Sequence, residues 1–256
     1  MEFSRGDELM YLSHLDLVRT FGRSLRRADI PMKYSEGFNP HAKMVFGLPM
    51  QVGVVGEAEC LDIETEDGVE ADRARCEINA CLPAGLNVSR ARRLYADENV
   101  MSIISHASYE MTLGWACGDL TVEEPRDADI EASLKEAVSA FLLPGPRPVD
   151  KAADATARGD GGRRKGTRGT NGNIVKTMDL APLVRSAGVS GNILAMTVTA
   201  GSVNNVKPDM VLQAINGLRG GENGFVRKKL RRKALYVERD GVLYKPADDV
   251  ICGVSV

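Results

Sequence analysis

The sequence predicts an α+β fold built twice over, and two observations carry that expectation. Period-two and period-3.6 segments follow one another along the 256 residues as strand, helix, strand, strand, helix, strand, and then repeat that order. This is the ferredoxin-like βαββαβ order, so two ferredoxin-like halves with antiparallel sheets are expected, over 1–104 and 105–256. Composition agrees, since a hydrophobic fraction of 43% and a charged fraction of 27% are those of an ordinary globular chain with cores to bury.

In the first half, Glu8 to Leu12 reads as the end of a strand. Ser13 is then a good N-cap, with Asp16 three residues on completing a capping-box variant at the positive end of a helix. Leu15, Val18, Phe21, Leu25 and Ala28 form an apolar stripe at spacings of three and four. Arg19, Arg23, Arg26 and Arg27 fall away from it, and Asp29 and Pro31 end the helix. Met32 to Tyr34 reads as a second strand, broken by a loop at Gly37, Asn39 and Pro40. Lys43 to Met50 and Glu59 to Glu66 are extended, Val69 to Leu82 is helical, and Asn87 to Tyr95 is a short strand.

In the second half, Ser108 to Cys117 alternates as a strand and Ile130 to Leu142 is an amphipathic helix. Lys151 to Gly172 is rich in Gly, Ala, Arg and Thr with almost no large apolar residue, which predicts a mobile loop at about 151–172. Ile174 to Leu180 and Ile193 to Thr199 read as strands. Pro208 opens a helix with the stripe Val211, Ile215 and Leu218, stopped by Gly220 and Gly221. Phe225 to Val237 and Val242 to Tyr244, split by Asp240-Gly241, form a final hairpin.

The five cysteines are scattered, with no C-x-x-C and no C-x-x-x-C-x-x-C triplet to hold an iron–sulfur cluster, so buried reduced thiols are expected. No apolar run approaches the roughly 20 residues that cross a bilayer, so no membrane partner is expected. Met1-Glu2-Phe3 shows no signal-peptide pattern, so a cytoplasmic protein is expected. Net charge is only −2, but it is segregated. Arg227, Lys228, Lys229, Arg231, Arg232 and Lys233 fill six of seven positions on the final strand. Basic residues protect an edge strand from aggregation, but this density favours a patch for phosphate backbones.

The chemistry-bearing residues concentrate between Ser13 and His41. Two of the three histidines lie here, His14 at a helix entrance and His41 in the Gly/Pro-broken loop Ser35-Glu36-Gly37-Phe38-Asn39-Pro40-His41. Binding and catalytic groups tend to sit off the ends of scaffold elements in this way. If the strand after the helix returns along it, His14 and His41 share one surface. Ser13, Asp16, Arg19, Arg23, Ser35, Glu36, Gly37, Phe38 and Asn39 would then complete a polar binding site. The bland alternative is structural, with each histidine holding its own turn and Gly37 serving backbone geometry. No metal-ligand spacing falls within one element, so no metal is expected.

Ser13-His14-Leu15-Asp16, the helix Leu17 to Arg27 and the run Met32 to Pro49 together resemble the radical-SAM-linked protein family, a bacterial family encoded beside or fused to a radical-SAM enzyme. The resemblance is specific in the first seventy residues and looser over Asp179 to Leu183, Asn204 to Leu218 and Arg231 to Val237. Members normally carry a longer first strand before the Ser13 helix, so the native start is expected upstream of Met1 or the strand is short. The resemblance implies a partner rather than a reaction. The radical-SAM enzyme would carry the iron–sulfur cluster and S-adenosylmethionine, and this chain would hold no cofactor of its own.

Two functions follow as expectations. The first is a non-catalytic substrate-presenting or RNA-binding partner of that enzyme in RNA modification, with structured RNA on the basic residues. The second is a metal-independent endoribonuclease in which His14 and His41 act as general acid and base. It rests on fold-level analogy and lacks the Gly-rich C-terminal loop such enzymes carry.

Overall fold

The structure, a computed structural model, describes residues 1–94, 98–116, 127–151, 176–201, 204–219, 224–248 and 251. The first half comprises β1 (Glu2–Arg5), α1 (His14–Arg27), β2 (Met44–Phe46), β3 (Val54–Ile63), α2 (Ala71–Cys81) and β4 (Leu86–Arg90). A short helix α3 (Val100–Ile103) leads to β5 (His106–Ala116), α4 (Asp127–Leu142), β6 (Pro148–Lys151) and β7 (Lys176–Asp179). Then come β8 (Val184–Ser190), β9 (Ile193–Thr199), α5 (Pro208–Arg219), β10 (Gly224–Arg239) and β11 (Val242–Tyr244).

In each half the first strand lies between the last and the third, with the remaining strand outside: β4-β1-β3-β2 and β10-β5-β9-β8. The mixed α+β architecture is therefore compatible with two ferredoxin-like halves. Their sheets, however, are not separate. β2 pairs only with Leu61 to Ile63 of β3, leaving Val54 to Gly56 to bond β10. That junction is parallel, and every other pairing is antiparallel. One buried cluster packs under α1 and α2 on Phe3, Leu17, Phe21 and Leu61. A larger one packs under α4 and α5 on Met111, Leu134, Val211 and Leu230.

Several local expectations change. The strand end expected at Glu8 to Leu12 lies at Glu2–Arg5, and Asp7–Leu9 is a 3-10 turn. The inward alternation of β1 is carried by Phe3 and Arg5, and an arginine facing inward masks the period-two signal. Met32 to Tyr34 is no strand but two isolated bridges, Met32 to Thr65 and Tyr34 to Ala42. On α1, Leu15 is 65% exposed, and the buried stripe is Leu17, Phe21, Ser24 and Leu25.

Ile174 to Leu180 contributes β7, which pairs β6 in a separate two-stranded ribbon. The strand beside β9 is β8, whose Val-Arg-Ser-Ala-Gly-Val-Ser run carries little apolar signal. Of the expected thiols, Cys60 is buried but Cys76 is exposed. The mobile-loop expectation for 151–172 falls outside the described residues except at Lys151, which ends β6.

Candidate functional site

Ser13 caps α1. Its Oγ accepts the Asp16 backbone N–H at 3.2 Å and donates to the Asp16 carboxylate at 2.7 Å. That bond, followed by one from Arg19, holds the Asp16 carboxyl below its ordinary range. Both side chains thus serve the helix entrance. His14, the next residue, is half-buried with its ring edge-on to Phe46 at 5.3 Å between centroids, and its Nδ1 is buried without a partner.

Beneath His14 lies a charged network that sequence reading missed. Arg5 is fully buried and donates to the carbonyls of Leu12 (2.9 Å), Gln51 (2.7 Å) and Val54. Arg232 of β10 pairs with Glu59 of β3 through two 2.6 Å bonds, and both side chains are almost wholly inaccessible. Burial opposes the charge on Arg232, but Glu59 and then Tyr109 raise its pKa on balance. A local signal for this network is lacking, because Glu59 and Arg232 come from different halves.

Burial first, then the charges of Arg232 and Arg5, lower the pKa of His14. Burial likewise lowers that of His106, against the pull of Glu238. A native histidine pKa below the unfolded value of about 6.5 means that the unfolded chain binds more protons in mild acid. Stability is therefore expected to be intact above about pH 6.5 and to fall as pH drops toward the native pKa values. Urea unfolding at about pH 7.5 and about pH 5.5 checks this, and His14→Gln should narrow the difference between them. An unchanged difference in His14→Gln would assign the acid sensitivity elsewhere.

His41 lies elsewhere. Ser35 to His41 is the tip of a hairpin that leaves the C-terminal end of α1, closed by the Ser35 N–H on the His41 carbonyl and the Lys43 N–H on that of Lys33. At its base the Lys33 N–H bonds Glu64, and the Glu66 N–H bonds Pro31. The chain enters the hairpin directly from the helix end, and it returns to His14 only with the later residue Phe46. The helix of 14 residues, about 21 Å long, therefore separates His14 from His41. The expected shared surface is not formed, and with it goes the acid–base pair.

The hairpin tip is exposed. Glu36, Gly37, Phe38, Asn39 and Pro40 all face solvent, Gly37 adopts a φ of 125°, and His41 Nδ1 contacts the Asn39 carbonyl at 3.0 Å. Phe38 is fully exposed (106%), and Tyr34 below it is 41% exposed. At the hairpin base opens a cleft of about 430 Å³, lined by Lys43, Asp62, Glu64, Glu66, Arg92 and Asn99 among others. Lys43 pairs with Glu64 at 3.2 Å. Burial raises the Asp62 pKa, although its carboxylate accepts the Val100 N–H at 2.6 Å. No local pattern marks the cleft, because its walls come from β2, β3, α2 and the segment after β4.

The basic run on β10 does not lie on an edge. β10 is central, between β3 and β5. Lys229, Arg231 and Lys233 share one face, opposite Leu230 and Arg232, and form a ladder with three acids. Lys229 pairs with Asp7, Arg231 with Asp7 and Glu57, and Lys233 with Glu57 and Glu110. Arg227 pairs with Asp209, and Arg232 is buried on Glu59. Lys228 is exposed, with no acidic partner among the described residues. Most of the expected phosphate patch is thus neutralised within the protein.

Among the described residues, no group of three or more His, Cys, Asp and Glu side chains could hold a metal ion, and no helix is long and apolar enough to cross a membrane. Fold and site together define a class: an α+β protein with a ferredoxin-like order in each half, an exposed aromatic hairpin and a cleft at its base. The chain belongs to a family described as "Uncharacterized protein conserved in bacteria (DUF2344)", which matches residues 1–208. The match spans β1 to the first residue of α5 and leaves β10 outside it. No curated protein matches the chain.

Proposed function

We propose that this chain is a non-catalytic partner of a radical-SAM enzyme, presenting an RNA substrate for modification. The observation that carries the presenting role is the hairpin. It fixes Phe38 entirely in solvent on a tip closed by backbone hydrogen bonds. An exposed aromatic anchor beside a polar cleft suits docking to another macromolecule, since aromatic residues dominate the binding energy of protein interfaces. The radical-SAM identity of the partner rests on the resemblance of the Ser13 to Pro49 motifs. The cluster and S-adenosylmethionine would belong to that partner.

The test is co-expression with the radical-SAM protein encoded nearby. The two chains should co-purify, and Phe38→Ala should weaken the complex by at least about tenfold while leaving the melting temperature unchanged, because Phe38 packs against nothing in the free protein. Failure of the wild-type chains to associate would remove the partner role. Association unaffected by Phe38→Ala would move the contact away from the hairpin.

A further inference from the structure

We infer that the exposed face of α1 is a track for single-stranded RNA, leading toward the hairpin and its cleft. This rests on the RNA-presenting reading above and names where, and in what form, the RNA binds. The outward residues of α1 are Leu15, Arg19, Arg23, Arg26 and Arg27, in a row running the length of the helix. Arg27 is tied to the Cys81 carbonyl and the Ser24 hydroxyl, and Arg19 to Asp16. Arg23 and Arg26 are exposed and form no salt bridge at contact distance among the described residues, although Asp16 feels the charge of Arg23. Asp16 offsets Arg19 and interacts with the charge of Arg23, but the four arginines outnumber that one acid, so this face stays net positive where the β10 ladder is matched.

Geometry favours an extended strand. Arg19 and Arg23, four residues apart, stand about 6 Å apart along the axis, and Arg26 follows within about 5 Å. That spacing is comparable with the separation of successive phosphates along an unstacked strand. Leu15, 65% exposed, opens the row, and Tyr11, 71% exposed, lies four residues before it in the turn that precedes the helix. An aromatic face beside a row of cations is how sequence-tolerant single-strand binding is built: bases stack while guanidinium groups follow the backbone. A duplex would offer phosphates but no free base face for Tyr11. The row ends at the helix terminus from which the chain enters the hairpin through Ile30 and Pro31, and the Pro31 carbonyl accepts the N–H of Glu66 in the cleft wall.

The test is fluorescence anisotropy of the full chain with a labelled 12-nucleotide oligouridine over a salt series. Binding should weaken with salt at a log–log slope of about −1.4, from about −0.7 for each of the two phosphate contacts at Arg23 and Arg26. The double variant Arg23→Gln, Arg26→Gln should abolish most of that slope and lose at least about tenfold in affinity at low salt. Tyr11→Ala should lose about fivefold or more at every salt concentration with the slope unchanged. Lys229→Gln with Lys233→Gln should leave the slope as it is, because those charges are already paired.

Undetectable binding at low salt, or binding that survives the double variant, overturns the track. Equal competition by polyglutamate would assign the face to acidic peptides and overturn it as well. Each of these outcomes leaves the Phe38 co-purification result standing, so the track and the partner role fail separately.

Discussion

Glu59→Gln is expected to cost about 3–5 kcal/mol of folding stability, read by urea unfolding, because it strands the Arg232 guanidinium in the interior without a counter-charge. The carbonyls of Leu48 and Pro49 lie at 3.4 Å from that group, too distant to replace two 2.6 Å carboxylate bonds. Arg5 nearby also loses the carboxylate that favours its charge. The pair joins β3 to β10 where the two halves meet, so the loss should be accompanied by faster amide exchange along Val54 to Gly56. Replacing Glu59 and Arg232 together with methionine should recover most of the stability, since both desolvation penalties then vanish. A loss below about 1 kcal/mol in Glu59→Gln would mean that water reaches the pair.

Gly201→Ala is expected to cost about 2–4 kcal/mol for a different reason, a backbone collision. Gly201 follows β9 with a φ of 158°, and a Cβ placed there would lie 2.5 Å from the Ile104 carbonyl oxygen. No side chain can rotate away to relieve that contact. Ala200 donates to the Ser105 carbonyl at 2.8 Å, and Ser105 donates to Tyr236, so a shift at residue 201 spreads into the start of β5 and into β10. Thermal unfolding of the variant checks this. A melting temperature equal to that of the unsubstituted chain would show that the segment around Gly201 can move without cost.

Much of the fold was legible in the sequence where the signal is local. Ser13 and Asp16 marked the start of α1, Pro83 and Gly85 the end of α2, Pro208 the start of α5, and Asp240-Gly241 the turn after β10. Each acts within a few residues through a cap, a fixed φ or a tight turn. The misreadings share a cause too. Arg5 points inward and Leu15 outward, both against their polarity, so periodicity misplaced β1 and shifted the stripe of α1.

The site was legible only as a list of residues. Ser13 to His41 did contain an exposed recognition element, the hairpin with Phe38, but it did not contain one site. Arguing that His14 and His41 meet required knowing which end of the returning strand faces the helix start. The hairpin leaves the helix C-terminus directly and β2 starts only after it, so the hairpin tip lies far from His14.

What the sequence by itself determined was the order and type of the elements, because hydrophobic period, caps and turn residues are properties of neighbouring positions. Only the tertiary structure decided which strands became neighbours. β10 lies against β3 in parallel, which turned a basic edge into the centre of a sheet and supplied Asp7, Glu57, Glu59 and Glu110 as partners for its charges. Whether a run of lysine and arginine is a free electrostatic surface depends on acids from remote segments within a few ångströms, and sequence spacing carries no record of that distance.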